Sequence, residues 1–341
     1  MKIVVTGGAG FIGSHVVDAL CNSTNEVIVV DSLDPEIYSA PPAYLNERAK
    51  YCVADLRNFR DEERFADVEA IVHLAALGGV SRAARQRENV LTANAGGTAR
   101  LLEVARGWKK LRHTILCSSF SVYGSNYRYR CRACGSERNG DRLESDLVAG
   151  RFEVACTKCG GQADVIPIDE STTPNPLETY GSSKYMQELC FRGFDAGQVT
   201  ILRFSSVYGA RLRLDDGEAT IIAKIAGWIR NGVRPRLLED GRQLRDWVLV
   251  SDVVDVVRQL LAGAAAPPVI NVCSGVPTTL VEACEAIARA LGRDCPPDIV
   301  GGHRKGDMRH CLGNPSTVRS LLGRDPVPFL TGAGLAFAPD A

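Results

Sequence analysis

The chain has 341 residues, enough at ordinary domain sizes for about two domains with a sizeable core, which excludes a peptide hormone or a small disulfide scaffold. Hydrophobic residues make up 45% and charged residues 23%, and Lys+Arg and Asp+Glu both number 40, which argues against disorder and against nucleic-acid binding. No apolar run reaches the roughly 18 to 20 residues of a membrane span, and a glycine-rich loop stands where a signal peptide would carry its cleavage site. We therefore expect a cytoplasmic protein without a membrane or nucleic-acid partner.

The N-terminus predicts a βαβ unit that binds a dinucleotide. An apolar run at Lys2–Thr6 enters the sequence GGAGFIG, Phe11–Cys21 has helical spacing, and a second apolar run follows at Val27–Val30. Asp31 then stands where a ribose diol would donate hydrogen bonds, and an acid there favours NAD over NADP. A glycine turn in some other α/β protein is the alternative. Gly7, Gly10 and Gly13 let backbone N–H groups approach a pyrophosphate at the helix N-terminus, and Phe11 and Ile12 are further predicted cofactor contacts.

Strands and helices alternate through the first two thirds of the chain. Strands are predicted at Ala70–Leu74, His113–Cys117 and Thr200–Phe204, with helices over Glu88–Arg106 and Ser182–Phe194. This pattern predicts an α/β fold of the Rossmann type, a doubly wound parallel sheet. Asp55 and Leu56 follow a third strand, which precedes the fourth at Ala70–Leu74, and Leu74, Ala75 and Ala76 belong to the HLAA motif at the end of the fourth. All five residues would lie where a dinucleotide crosses the strand ends. We interpret His73 as structural.

A tyrosine and a lysine lie one helical turn apart at Tyr180 and Lys184. A cation beside a phenol lowers the phenol pKa, so the pair could supply a general base near neutral pH. Ser118 and Ser119, at the end of the fifth predicted strand, complete the candidate site.

Together these motifs resemble the extended short-chain dehydrogenase/reductase superfamily, and within it the nucleotide-sugar epimerases and dehydratases. The resemblance implies that Tyr180 takes a proton from a sugar hydroxyl while hydride passes to NAD, that Lys184 holds the nicotinamide ribose and that Ser119 bonds the reacting oxygen. It also implies cofactor contacts from Asn94 and Ser118. The motifs that carry it are TGGAGFIG at Thr6–Gly13, HLAA at His73, Asn94 with GGT at Gly96–Thr98, SSFSVYG at Ser118–Gly124, YGSSK at Tyr180–Lys184 and RDWVLVSDVVD at Arg245–Asp255.

Two residues after Ser119 narrow the chemistry that this resemblance implies. Similar 4,6-dehydratases carry an Asp-Glu pair at this point and decarboxylating relatives carry a Glu, whereas this chain has Phe120 and Ser121. We therefore expect NAD-dependent epimerisation of a nucleotide-diphosphate sugar at C4 through a transient 4-keto intermediate. The alternatives are an NAD(P)H-dependent keto-sugar reductase, a 4,6-dehydratase, and a non-catalytic NAD-sensing scaffold.

The C-terminal half is similar to the substrate lobe of these enzymes. Arg245 and Arg304 match positions that grip the diphosphate, a task that suits the forked guanidinium, and Asp307 matches a nucleotide-ribose contact. Surface ion pairs are the alternative for these residues. Ser206 stands where relatives usually have Asn, which leaves the identity of the substrate's nucleotide open. The expected substrate contacts are Ser119, Ser121, Ser206, Arg245, Arg304, Asp307 and Cys311.

Position 311 bears on the sugar. In related 4-epimerases the residue seven after the phosphate arginine gates the sugar pocket, and a bulky aromatic side chain there excludes N-acetyl groups. Cys311 is small, so the resemblance implies that an N-acetylhexosamine could be accommodated.

An insertion separates Ser119 from Tyr180. It carries CRACG at Cys131–Gly135 and CTKCG at Cys156–Gly160, a zinc-ribbon signature with Cys131, Cys134, Cys156 and Cys159 as ligands. Four thiolates close the zinc coordination shell, so we expect a structural metal. Redox disulfides and a rubredoxin-like iron site are the alternatives. We predict that the insertion walls the substrate cleft or packs on a partner subunit.

The predicted domains are therefore discontinuous. Residues 1–126 and 166–206 form the NAD-binding Rossmann domain, to which 245–272 returns; 127–165 form the zinc-ribbon insertion; and 207–244 and 273–341 form the smaller substrate lobe. The helices around Glu88–Arg106 and Ser182–Phe194 match those of a four-helix dimer interface in similar enzymes, so a homodimer is expected.

Overall fold

The computed structural model describes residues 1–214, 220–304 and 307–338. Residues 215–219, 305–306 and 339–341, which the predicted substrate lobe includes, lie outside the described residues. Within these ranges no helix is long and apolar enough to cross a membrane.

A seven-stranded parallel sheet forms the centre of the molecule, in the order β13-β9-β5-β4-β1-β2-β3. This is the predicted doubly wound α/β architecture, and the Rossmann fold class is confirmed. The strands of the described residues are β1 Lys2–Thr6, β2 Glu26–Asp31, β3 Lys50–Val53, β4 Ala70–His73, β5 His113–Ser119, β6 Arg128–Cys131, β7 Glu137–Asn139, β8 Ala163–Val165, β9 Gln198–Phe204, β10 Ser206–Tyr208, β11 Arg236–Leu237, β12 Leu244–Leu249, β13 Val269–Val272, β14 Pro277–Thr279 and β15 Asp298–Ile299.

Alternating apolar side chains place a core on each face of this sheet. Ile3 and Val5 of β1 pack into one hydrophobic cluster, and Val4 between them packs into another. The helices of the described residues are α1 Phe11–Cys21, α2 Val80–Arg85, α3 Arg87–Leu91, α4 Gly97–Ala105, α5 Glu144–Val148, α6 Thr179–Arg192, α7 Ile221–Arg230, α8 Val250–Leu261, α9 Leu280–Ala290, α10 Ser316–Leu322 and α11 Phe329–Phe337. Helices α1 and α8 cover the first cluster, and α4 and α6 cover the second.

The predicted helix over Glu88–Arg106 is interrupted. A π-helical turn at Thr92–Gly96 lies between α3 and α4. The Asn94 side chain in this turn accepts a hydrogen bond from the Leu77 backbone N–H (2.7 Å) and donates to the Ser183 hydroxyl (2.9 Å). The turn therefore aims one polar side chain at two distant segments, a use typical of π-helical turns at functional sites.

The C-terminal lobe is built around two small sheets. Strand β12 pairs with β10 and β14, and β11 pairs with β15. The segment after β12 leaves this lobe, because α8 covers the sheet and β13 forms its edge. Strand β12 itself stays outside the seven-stranded sheet.

The insertion forms a separate three-stranded antiparallel sheet, β7-β6-β8, with α5 as its one short helix among the described residues. Tyr127, Tyr129 and Val154 pack with Phe120 and Tyr123 in a hydrophobic cluster beside the C-terminal end of β5.

Candidate active site

A cleft of about 380 Å³ lies at the carboxyl ends of β1, β2 and β4. Twelve residues predicted to contact the cofactor line it: Gly7, Gly10, Phe11, Ile12, Gly13, Asp31, Asp55, Leu56, Leu74, Ala75, Ala76 and Asn94. Other residues that line the cleft, among them Tyr38, Arg57 and Gly78, were not predicted from the sequence. Tyr38 belongs to the loop after β2, where no periodicity marks it.

Close backbone packing requires glycine at the base of the cleft. Gly7 has a φ of +70°, and a Cβ on it would stand 2.7 Å from the Ala75 nitrogen. A Cβ on Gly13 would stand 2.1 Å from the Gly7 oxygen, so this glycine lets α1 approach β1. Helix α1 has no side-chain cap and no acid in its first turn. Its free N–H groups and positive end therefore suit a pyrophosphate.

Asp31 ends β2 at the edge of the cleft. Its carboxylate accepts hydrogen bonds from the backbone N–H groups of Ala9 and Leu33, each at 3.0 Å. Burial raises the Asp31 pKa, and these two hydrogen bonds oppose the rise. The carboxylate is thus fixed beside the glycine loop, where the ribose of a dinucleotide would lie.

Tyr180 and Lys184 project from the first turns of α6. The Glu178 side chain caps this helix by accepting hydrogen bonds from the N–H groups of Tyr180 (2.7 Å) and Gly181 (2.6 Å). Burial raises the pKa of Tyr180 to about 12, the Glu178 charge adds to the rise, and a hydrogen bond with Ser119 opposes it. Because desolvation dominates, the Tyr180 pKa lies above its ordinary value of about 10 and not below it, as was expected from the neighbouring Lys184.

Lys184 is buried in a polar network below the cleft. Its ammonium donates to the Gln187 side-chain oxygen (2.5 Å), and burial lowers its pKa to about 8. The Gln187 amide nitrogen donates to the Thr98 hydroxyl (2.7 Å). His73 lies between the hydroxyls of Thr6 (2.6 Å) and Thr98 (2.8 Å), and burial lowers its pKa to about 3. His73 is therefore a neutral member of this network, which agrees with a structural role.

Ser118 and Ser119 differ in their surroundings although they are adjacent. The Ser118 hydroxyl is buried and donates to Glu188 (2.7 Å), which forms a buried ion pair with Arg203. The Ser118 hydroxyl is therefore engaged in the protein interior. The Ser119 hydroxyl accepts from the Ser121 N–H (3.1 Å) and lies 3.3 Å from the Ser121 hydroxyl, so these two serines and Tyr180 form one cluster of hydroxyls.

The predicted substrate residues lie on several elements of the C-terminal half. Arg245 is half-buried on β12, Ser206 begins β10, and Arg304 and Asp307 are exposed. Cys311 is partly buried against the cluster that contains Tyr127, and burial raises its thiol pKa. Tyr127, from the insertion, was not among the predicted site residues.

The insertion brings its four motif cysteines together. The Sγ atoms of Cys131 and Cys159 are 3.5 Å apart, those of Cys134 and Cys156 are 3.6 Å apart, and all four lie within 4.8 Å of one another. A tetrahedron of sulfurs about 2.3 Å from a central zinc has edges of about 3.8 Å. Gly135 and Gly160 adopt φ values of +69° and +72°, the left-handed turn expected after each second thiol.

The Rossmann sheet, the glycine loop and the Ser, Tyr and Lys side chains define a dinucleotide-dependent α/β enzyme. The family model described as the NAD dependent epimerase/dehydratase family matches residues 3–139 and 149–273, and the chain belongs to this family.

Curated and solved relatives include several 4-epimerases. The dTDP-L-rhamnose 4-epimerase of Burkholderia thailandensis is 30% identical over 337 residues, which cover 95% of this chain and 90% of that protein. The UDP-glucose 4-epimerase of Thermotoga maritima, solved with UDP-glucose, is 28% identical with a TM-score of 0.75 and coverage of 99% and 97%. MoeE5, solved with UDP-glucuronic acid and NAD, is 26% identical with a TM-score of 0.74 and coverage of 99% and 98%.

Proposed function

We propose that this protein is an NAD-dependent isomerase that epimerises a nucleotide-diphosphate sugar at C4 through a transient 4-keto intermediate. The observation that carries the proposal is the hydroxyl cluster of Ser119 and Tyr180, with Lys184 one turn along α6 in a network that reaches the cleft-lining Ala75 and Asn94. Phe120 and Ser121 stand where an eliminating enzyme needs an acid and a base. The 4-epimerases among its relatives support the same assignment.

Each side chain of this site has its own role in the proposed reaction. Bound NAD would accept a hydride from C4 and return it to the opposite face of the ketose. Tyr180 removes the proton of the C4 hydroxyl during oxidation and gives it back during reduction. Ser119, in the same hydroxyl cluster, holds the C4 oxygen in reach of Tyr180. Lys184, whose ammonium donates to Gln187, supplies a positive charge and would hold the nicotinamide ribose.

The substrate contacts follow from the C-terminal lobe. The half-buried Arg245 and the exposed Arg304 offer guanidinium groups to the diphosphate, and Asp307 offers a carboxylate to the nucleotide ribose. Ser121 and Ser206 contact the sugar or phosphate region, and the small Cys311 leaves room for an N-acetyl group.

Proton NMR with a panel of UDP- and dTDP-hexoses, hexosamines and hexuronates tests the proposed reaction. Wild-type protein supplied with NAD and no reductant should convert one of these sugars to its C4 epimer up to a fixed ratio, without net NADH. A Tyr180→Phe variant is the control. If every sugar is recovered unchanged, and a nucleotide keto-sugar supplied with NADH or NADPH is reduced, the protein is the alternative keto-sugar reductase.

We further infer that the four cysteines bind one structural zinc ion. The sulfur separations support it, and the Ser136 hydroxyl, 3.1 Å from the Cys134 sulfur and 3.0 Å from the Cys156 sulfur, offers those thiolates a second-shell hydrogen bond. Elemental analysis should find one zinc per chain in the wild type and none in Cys131→Ser. Equal stability and turnover in both proteins would contradict a structural role for the metal.

A homodimer and a cytoplasmic location complete the proposal. Met186 and Leu189, one turn apart on the predicted interface helix α6, are 44% and 49% exposed, which suits burial against a second copy. Light scattering of wild type and Leu189→Asp tests this, and a monomeric wild type would contradict it. The eight cysteines outside the four-cysteine cluster, all within the described residues, form no disulfide, which supports a reducing compartment.

A further inference from the structure

The insertion is tied to the C-terminal lobe by a buried cluster of charges. Arg309 is fully buried, and its guanidinium donates to Glu239 (2.8 Å) and Asp240 (2.7 Å) of the lobe and to Glu153 (3.1 Å) of the insertion. Arg142 of the insertion pairs with Glu239 at 2.9 Å, and both side chains are at most 5% exposed. Because unpaired buried charges are costly, this cluster fixes how the insertion sits on the lobe.

Hydrogen bonds extend this attachment along the segment 307–310. The Nδ1 atom of His310 accepts from the Leu244 N–H (3.0 Å), so its Nε2 atom carries the proton and donates to Glu153 (3.0 Å). The His310 N–H donates to the Tyr129 hydroxyl (3.1 Å). Arg142 also donates to the Asp307 carbonyl (2.8 Å). Three insertion side chains, Arg142, Glu153 and Tyr129, therefore hold this segment.

The same segment orients Arg245. The Arg245 guanidinium donates to the carbonyl oxygens of Leu244 (2.9 Å), Arg309 (3.0 Å) and Met308 (3.3 Å). No carboxylate among the described residues pairs with Arg245, although its side chain is half-buried. A cation that is aimed by carbonyl oxygens and lacks an acidic partner is ready to bind an anion.

We propose that Glu153 of the insertion is a positioning residue for the diphosphate site. Glu153 anchors the side chains of Arg309 and His310, and the backbone carbonyls of Arg309 and its neighbour Met308 set the direction of Arg245. The four-cysteine cluster is close to these contacts along the chain. Tyr129 lies on β6 with Cys131, and Glu153 precedes Cys156 by three residues. This inference rests on the proposed function, in which Arg245 binds the diphosphate of the substrate.

Binding of UDP, dTDP and NAD, measured by calorimetry, tests the proposal. Glu153→Ala should weaken binding of the wild type's preferred nucleoside diphosphate by about tenfold. Glu153→Gln, which keeps one of the two acceptor oxygens, should weaken it by about threefold. NAD affinity should stay within twofold. With the sugar identified by NMR, KM should rise with the diphosphate dissociation constant while kcat stays within twofold. Glu137→Gln is the matched control, because Glu137 pairs with Arg128 and Arg130 inside the insertion.

The outcomes separate this inference from the proposed function. If folded Glu153→Ala binds the nucleoside diphosphate as tightly as wild type, the positioning role is overturned. If Glu153→Ala does not fold, Glu153→Gln decides, because a nucleoside diphosphate affinity and a KM equal to those of the wild type in that variant overturn the positioning role. A wild type that binds NAD but neither UDP nor dTDP overturns both the inference and the proposed function.

Discussion

The buried ion pair between Glu188 and Arg203 should be a large single contributor to the integrity of the catalytic site. Glu188 lies on α6 with Tyr180 and Lys184, and Arg203 lies on β9. The two side chains are at most 1% exposed and form two hydrogen bonds, of 3.0 and 2.8 Å. Glu188 also accepts from Ser118, the neighbour of Ser119. The pair therefore fastens α6 to β9, and the hydrogen bond from Ser118 fastens the same helix to β5.

Glu188→Gln removes the negative charge at almost constant volume and leaves the Arg203 guanidinium buried without an acidic partner. The Tyr123 ring, 4.8 Å from the guanidinium, is the aromatic contact that remains. Breaking one side of a buried pair costs about 3 to 5 kcal/mol, a large part of a total stability of roughly 5 to 15 kcal/mol. We expect the free energy of unfolding in urea to fall by that amount.

Two further variants separate charge from packing. Glu103→Gln removes an acid that is 67% exposed and 3.4 Å from Arg100, and should cost below about 1 kcal/mol. The double variant Glu188→Leu with Arg203→Met removes both charges and should recover most of the loss. A loss below about 1 kcal/mol for Glu188→Gln, or a double variant as unstable as the single one, would refute the reasoning.

Three other predictions concern the site itself. Tyr180→Phe should lower kcat by about 10²- to 10⁴-fold with NAD affinity unchanged in a fluorescence titration, and a loss below tenfold would exclude Tyr180 as the acid-base group. The folded pKa of Lys184 is about 8, below its ordinary value of 10.5, so the unfolded chain holds more protons between these two pH values. The wild-type free energy of unfolding should therefore rise by about 3 kcal/mol over this range relative to that of Lys184→Met. A difference between the two proteins that is independent of pH in urea unfolding would contradict this. Cys311→Tyr should lower kcat/KM for UDP-N-acetylglucosamine at least tenfold relative to UDP-glucose, and an unchanged ratio would remove Cys311 from the sugar pocket.

The parallel sheet could be predicted from the sequence because its signals are local. The apolar runs at Lys2–Thr6 and Val27–Val30 and the glycines between them specify a βαβ unit within thirty residues. The π-helical turn at Thr92–Gly96 could not be predicted in this way. It depends on a hydrogen bond that Asn94 accepts from Leu77 and one that it donates to Ser183, which are 17 and 89 residues away.

The candidate site shows the same division. The glycine loop, Tyr180 and Lys184 stand out by spacing alone, but the pKa of Tyr180 depends on burial that no spacing reports. The contacts between the insertion and the C-terminal lobe also could not be predicted from the sequence, because Glu153 and Arg309 are 156 residues apart. Their charges look like ordinary surface residues until the fold buries them.

The fate of the hydrogen at C4 tests the central claim most directly. A nucleotide sugar identified in the NMR panel and deuterated at C4 should give an epimer that keeps deuterium at C4, because the hydride leaves and returns within one active site. The label should not exchange with water, and NADH should not accumulate. Loss of the deuterium to solvent, or its release in free NADH with a keto-sugar product, would contradict the account.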